Sequence, residues 1–202
     1  MKTVKKITNE MHEENLFFVP TMGSLHRGHF SLIEKAKTSN SKIIVSIFVN
    51  PKQFNDINDF KKYPRTLQKD SQSLGELGVD YLFTPDENYI YDNNFVNIIS
   101  SGTIGKKYEG QSRPGHFDGV LTVVNRLFEL VKPQKAIFGK KDAQQLFLIK
   151  DHLRRSNKNI EIFDGEIIRD KNGLALSSRN LLLSDSGRVI ASGLKRHLDI
   201  LK

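Results

Sequence analysis

Cysteine is absent from this chain of 202 residues, which excludes a disulfide framework, argues against a zinc centre and fits a cytoplasmic protein. No apolar run approaches the roughly 20 residues that span a bilayer. The amino-terminal Met1-Lys2-Thr3-Val4-Lys5-Lys6 carries charge without a following apolar segment, so no secretory signal is expected. Internal repeats and low-complexity stretches are lacking as well. Two familiar enzyme signatures are missing: there is no Gly-x-Ser-x-Gly elbow for a serine hydrolase and no Gly-x-x-x-x-Gly-Lys-Ser/Thr for a P-loop. What remains is an ordinary globular composition, 38% hydrophobic, with length for one α/β domain of about 150 to 180 residues and not for two.

Charge is the first positive signal. The formal net charge of +8 favours anionic partners. Nucleic acid is the rival to a small phosphorylated ligand, but the cations are scattered among acids, with short clusters only at Lys140-Lys141 and Arg154-Arg155. A solvated surface explains most of them.

Short runs rich in β-branched or aromatic residues alternate with longer helical stretches, the pattern of βαβ units around a parallel sheet. Strands are predicted near 16–20, 42–49, 79–84, 135–139 and 160–168, and helices near 28–38, 64–77, 117–131 and 142–155. The polar or glycine-rich breaks after the strands, at 20–26, 50–54, 85–92, 139–142 and 169–180, are then candidate pieces of a site at one sheet edge. The long irregular stretch 86–115 is expected to hold a short strand at Phe95 to Ile99. Asp170-Lys171-Asn172-Gly173 reads as a hairpin turn, because Asn-Gly readily takes positive φ angles. A last helix, opened by Ser184-Asp185, is expected over 184–202.

The chemistry concentrates in the breaks. Pro20-Thr21-Met22-Gly23-Ser24-Leu25-His26-Arg27-Gly28-His29 follows the apolar run Leu16-Phe17-Phe18-Val19 and sets two imidazoles three residues apart at the mouth of a helix. Unpaired backbone N–H groups and the positive end of the helix dipole favour an anion there. Gly23 and Gly28 permit close backbone approach. Zinc is not indicated, since no third ligand falls at a usual spacing nearby. Phe48 to Phe54 delivers the amides of Asn50 and Gln53. Phe138-Gly139-Lys140-Lys141-Asp142-Ala143-Gln144-Gln145 offers a glycine turn, a cation that could neutralise charge at a pentacoordinate phosphorus, and an acid that could equally cap the helix or hold a ribose or Mg²⁺-bound water. Gln145, four residues past Lys141, can face the same pocket. Leu176-Ser177-Ser178-Arg179-Asn180 combines hydroxyls and a guanidinium, natural donors to phosphate, or else a plain helix cap. Glu109 to Phe117 brings an acid, Arg113 and His116 ahead of a helix, or forms only a rigid lead-in.

In this order the motifs closely resemble the pantoate–β-alanine ligase family, within the HIGH-signature nucleotidyltransferase superfamily. The resemblance runs from about Val19 to Asn180 and includes Tyr63-Pro64-Arg65 and Gly119 to Val124 beside the segments above. It implies a Rossmann-like, doubly wound parallel sheet with a catalytic domain over 1–175, and the start of a smaller carboxyl-terminal lid domain over 176–202. It implies ATP-dependent condensation of (R)-pantoate with β-alanine through a pantoyl adenylate, with Mg²⁺ on the ATP phosphates, in a cytoplasmic homodimer. His26, His29, Lys141 and Arg179 become the catalytic candidates, with His29 as a general acid. The nucleotide would be held by Met22, Gly23, Ser24, Leu25, His26, Arg27, Gly28 and His29, by Gly139, Lys140, Lys141 and Asp142, and by Ile168, Leu176, Ser177, Ser178 and Arg179. Gln53 and Gln145 would hold pantoate.

Ser24, Arg27, Lys140, Ala143 and Leu176 depart from the commonest family pattern. The chain also stops about one helix into the lid domain, which bears on turnover more than on binding. Two rivals remain: a related nucleotidyltransferase acting on a phosphorylated acceptor, suggested by the histidine pair, and a basic nucleic-acid-binding module, suggested by net charge.

Overall fold

The computed structural model describes residues 1–92 and 97–201. Among these residues six parallel strands form one sheet: β1 (Lys2–Val4), β2 (Leu16–Thr21), β3 (Lys42–Ile47), β4 (Tyr81–Phe83), β5 (Lys135–Gly139) and β6 (Glu161–Gly165), in the spatial order β1-β4-β3-β2-β5-β6. The helices, in chain order, are α1 (Asn9–His12), α2 (Arg27–Lys37), α3 (Ile57–Lys62), α4 (Leu67–Glu76), α5 (Glu87–Ile90), α6 (Glu109–Ser112), α7 (His116–Val131), α8 (Ala143–Arg155) and α9 (Asp185–Ile200).

The pleat explains why both sheet faces are covered. Leu16 and Phe18 of β2 join one core with Ile44, Ala136 and Phe138, against α7 and α8. Phe17 and Val19 point the other way and join Ile43, Val45 and Ile137 against Leu32, Ile33 and Ala36 of α2 and Leu74 of α4. Successive side chains of a strand alternate faces, so an unbroken apolar run reads as a strand buried on both sides. Helix α7 buries Phe117, Val120, Leu121, Val124, Leu127 and Phe128, because it is walled in by the sheet, the strand-connecting segments and α8, while Asp118, Thr122, Asn125, Arg126 and Glu129 follow one polar stripe.

Gly119 permits the tightest approach that matters to the site. A Cβ there would lie 2.3 Å from the carbonyl oxygen of Lys52 and 3.0 Å from Cα of Gln53, so only glycine lets α7 rest on the 3-10 turn Pro51–Gln53.

The doubly wound parallel sheet matches the expectation, with differences at element ends. The strand β1 was not anticipated: three residues with Lys2 and Thr3 exposed carry little apolar pattern, and the strand exists by pairing with Tyr81–Phe83. The strand at 42–49 ends at Ile47, and 160–168 ends at Gly165. The helix expected from Pro64 begins at Leu67 after the separate α3. The turn at 170–173 is present, with Gly173 N–H donating to Asp170 O at 3.1 Å and a bridge between Arg169 and Ala175. Only Gly173, at φ +85°, takes the left-handed conformation; the Asp170 carboxylate shapes the rest by accepting from Asn172 N and Leu174 N. The strand expected at Phe95 to Ile99 falls partly outside the described residues, and Asn97 to Ile99 are irregular.

Candidate active site

The chain leaves β2 toward β3 on one side, while β5, on the other side of β2, leads to β6. Loops following β2 and β5 therefore diverge at the carboxyl ends of neighbouring strands, which opens a crevice. A cavity of about 240 Å³ lies there, lined by Met22, His26 and His29 from the loop after β2 and the start of α2, by Gln53, by Gly139 at the end of β5 and Lys141, Asp142 and Gln145 after it, and by Ile168, Leu176, Ser177, Ser178 and Arg179 after β6. The side chains of α7 that face it, with Phe48, form an apolar floor.

The histidine pair is organised by the start of α2. Nδ1 of His26 accepts from Gly28 N–H at 3.1 Å, and Nδ1 of His29 accepts from the backbone N–H of His26 at 3.3 Å. A backbone N–H can only donate, so each Nδ1 is unprotonated and the neutral ring carries its proton on Nε2. The capping that starts the helix thus fixes the tautomer of both rings, which lie 4.1 Å apart between centroids. Burial lowers the His26 pKa, helped by Lys141. Burial, with His26 and Lys141 nearby, brings His29 down to about 3. His29 is thus a neutral Nε2–H donor.

This has a consequence for stability. The unfolded chain takes up a proton at His29 near the ordinary value of 6.5, and the folded chain does so only near 3. The stabilisation is complete above about pH 6.5 and declines as pH falls toward 3, at up to ~1.4 kcal/mol per pH unit. In His29→Asn, whose amide oxygen can still accept from His26 N–H, that component disappears. Urea midpoints of both proteins between about pH 4 and 7.5 are expected to show the wild-type advantage shrinking with acid; a constant difference contradicts the assignment.

The loop between β2 and α2 is held from behind by Asp70 of α4, which is 2% exposed. Its carboxylate accepts from Ser24 N at 2.8 Å, Leu25 N at 2.9 Å and the Thr66 hydroxyl at 3.1 Å. Gly23 and Ser24 both have positive φ, +78° and +50°. A Cβ at Gly23 would meet Ile47 at 2.9 Å. Asp70 was not singled out from the sequence, although an acid one turn before the buried Leu74, on the same helix stripe, was the available signal.

Asn50 fixes Gln53. The Asn50 amide nitrogen donates to Gln53 Oε1 and to Gly119 O, both at 3.1 Å, and Asn50 Oδ1 accepts from Tyr91 hydroxyl at 2.7 Å. With Oε1 engaged, Gln53 presents its NH₂ group, which reaches Met22 Sδ at 3.3 Å. His116 secures the same turn from α7: its Nδ1–H donates to Gln53 O at 2.7 Å, while Nε2 accepts from Arg113 at 3.1 Å. Burial lowers the His116 pKa and the ring is neutral. Of this segment, read from sequence either as functional groups ahead of a helix or as a rigid lead-in, Arg113 and His116 brace Gln53.

The 3-10 turn Ser178–Leu182 is stitched to the β2 loop, since the Ser178 hydroxyl donates to Ser24 O at 2.9 Å. That hydroxyl proton is committed to the fold, whereas Ser177 caps the turn through Arg179 N. Of the residues predicted from sequence, Gly23, Ser24, Leu25, Arg27 and Lys140 do not line the cavity. Gly23 to Leu25 lie behind the loop against Asp70, Arg27 is exposed, and Lys140 pairs with Glu166 at 2.5 Å. The other predicted residues converge on it.

The family model for Pantoate-beta-alanine ligase matches residues 1–202. The pantothenate synthetase of Caldicellulosiruptor saccharolyticus is 46% identical over 199 residues, covering 98% of this chain and 70% of that protein. The crystal structure of the pantothenate synthetase of Thermus thermophilus superposes with a TM-score of 0.91 at 44% identity, covering 97% of this chain and 72% of the other. The pantoate-beta-alanine ligase of Francisella tularensis, complexed with beta-gamma ATP and beta-alanine, gives a TM-score of 0.90 at 44% identity, covering 97% and 78%.

Proposed function

The chain belongs to the pantoate–β-alanine ligase family and is an ATP-dependent acid–amine ligase; we propose that it works through a pantoyl adenylate formed in the crevice between β2 and β5. In the first step a carboxylate oxygen of (R)-pantoate bonds to the α-phosphorus of ATP as the bridging oxygen to the β-phosphate departs, giving the adenylate and diphosphate. In the second, the amine nitrogen of β-alanine bonds to the acyl carbon, AMP leaves, and a proton passes from nitrogen to solvent. Both steps move negative charge without redox chemistry.

One observation carries the reading: two Nε2–H imidazole donors at a helix N-terminus share a cavity with the Lys141 ammonium and the Arg179 guanidinium, while the Gln53 and Gln145 amides lie beside an apolar floor. The first group matches a polyphosphate whose charge shifts during reaction. The second matches a small acid with a hydroxyl on either side of a carbon bearing two methyl groups, which Phe48, Val120 and Val124 would contact. Lowered histidine pKa values suit this role, because a neutral donor stabilises the oxyanion without first surrendering its proton. Bound phosphates would draw the ring pKa values back upward.

Mg²⁺ would arrive with ATP as its complex. Among the described residues no cluster of three metal-ligating side chains occurs, and the carboxylates at the cavity are already paired: Asp142 with Lys141 at 3.1 Å, Glu109 with Arg113 at 2.8 Å and Glu166 with Lys140. The phosphate oxygens would be its main ligands. Consumption of ATP also fits a cytoplasmic location, and no helix among the described residues is long and apolar enough to cross a membrane. The homodimer implied by the family is checked by sedimentation equilibrium.

Exchange of labelled diphosphate into ATP is expected to require pantoate, and addition of β-alanine is expected to yield AMP and pantothenate in equal amounts. Exchange supported by a phosphorylated acceptor and not by pantoate would transfer the assignment to another nucleotidyltransferase.

A further inference from the structure

Arg179 does not reach into the cavity unsupported. Its Nε and Nη2 donate to the two carboxylate oxygens of Asp59 in α3, at 3.1 and 2.8 Å. The guanidinium lies over the rings of Tyr63 and Phe54, at 5.1 and 5.7 Å from their centroids. A guanidinium has five N–H donors in a planar fork, so this pairing leaves three of them, on Nη1 and the second site of Nη2. The carboxylate and the rings also hold the long side chain in one orientation, and the pairing holds Asp59 below the usual carboxylate range.

The support is itself anchored. Asp56 caps the start of α3 by accepting from Asn58 N at 2.8 Å. Arg65 closes the other end, donating to the carbonyls of Phe60 and Tyr63, both at 3.2 Å. Tyr63 carries the Arg179 guanidinium over its ring, and Ser178, the residue before Arg179, holds Ser24. The β2 loop, α3 and the 178–182 turn are thus one connected unit, in which Asp59 is the partner of the cation facing the substrate.

We propose that Asp59 is the positioning residue for Arg179: by occupying one edge of the guanidinium it orients the remaining donors toward the ATP phosphates and so sets the rate of adenylate formation. This rests on the ligase reading above and deepens it.

A double-mutant cycle tests the proposal by the rate of pantoate-dependent diphosphate exchange. Asp59→Ala is expected to lower kcat about tenfold, with KM for pantoate within about twofold of the parent, corresponding to a coupling in the range seen for contacting residues. In the Arg179→Ala background the same change is expected to leave kcat unchanged or raise it, because the orphaned carboxylate then only repels phosphate. Melting midpoints accompany each variant; if Asp59→Ala does not fold, Asp59→Asn, which keeps one acceptor oxygen, replaces it with a smaller loss. An equal loss in both backgrounds, no loss in the parent background, or a faster rate for Asp59→Ala overturns the proposal. Absence of exchange in the parent protein, by contrast, would strike the ligase reading itself, so the two failures are distinguishable.

Discussion

Lys141→Ala is expected to slow pantoate-dependent diphosphate exchange by about 10²- to 10³-fold, the effect of removing one preorganised charge from a site where charge develops, while the melting midpoint moves by no more than about 2 °C. The two halves of that expectation have different origins. The Lys141 side chain is 38% exposed and, among the described residues, pairs with the adjacent Asp142. Exposed ion pairs contribute roughly 0 to 1 kcal/mol, so little folding energy is at stake. Yet its ammonium helps lower the pKa of both His26 and His29, which places its field across the region where a triphosphate would lie. The charge that does little for folding is the one a pentacoordinate phosphorus would meet. Lys141→Arg should recover part of the rate, since it restores charge with a different donor geometry. Measured by single-turnover adenylate formation beside thermal unfolding, an unchanged rate, or a rate loss that tracks a collapse in melting temperature, would remove Lys141 from the reaction.

Asp70→Ala is expected to act in the opposite way, through the fold. It strips the partner from Ser24 N–H, Leu25 N–H and the Thr66 hydroxyl in a buried setting, and unsatisfied buried donors cost about 1 to 3 kcal/mol each when they cannot reach water. With partial relaxation the loss should be about 3 to 4 kcal/mol, or roughly 10 °C for a chain of this size. Exchange activity should fall as well, because the positive φ angles at Gly23 and Ser24 would lose the contacts that hold them and His26 would lose its place at the helix mouth. Asp70→Asn retains one acceptor oxygen and should fall between the two proteins. A melting temperature within about 2 °C of the parent for Asp70→Ala would show that water replaces the carboxylate and that the loop holds itself.

These two residues mark the boundary of what could be read without coordinates. Lys141 announces itself by standing after a strand and a glycine, where the sheet topology sends loops toward a ligand. Asp70 carries no such mark: it lies inside an amphipathic helix, and its importance comes from a loop 46 positions earlier. The same holds for Asp59, whose partner is 120 residues away, and for the Ser178 to Ser24 bond across 154. His116 was visible as an imidazole near an arginine, but its task, holding the backbone of Gln53, depends on α7 resting against the 51–53 turn. Conversely Gly23 to Leu25, Arg27 and Lys140 sit in motifs that point at phosphate, and the family resemblance implied that they hold it. The loop's curvature turns three of them toward Asp70, and Lys140 finds Glu166 instead.

Periodicity, turn chemistry and motif spacing by themselves determined the parallel α/β architecture, the loops that meet at one sheet edge and the residue types that would handle a phosphoanhydride and a small acid. Those properties are local: alternation marks a pleat, a glycine marks a permitted φ, and two histidines three apart share a helix face. Tertiary structure alone decided which protons are available and which side chains are free. Burial and neighbouring charge make both imidazoles neutral, the helix cap selects their Nε2 tautomers, and Asp59, Asp70 and His116 hold the cation, the loop and the amide in place. Electrostatics and hydrogen bonding depend on distance in space, which a linear sequence does not encode.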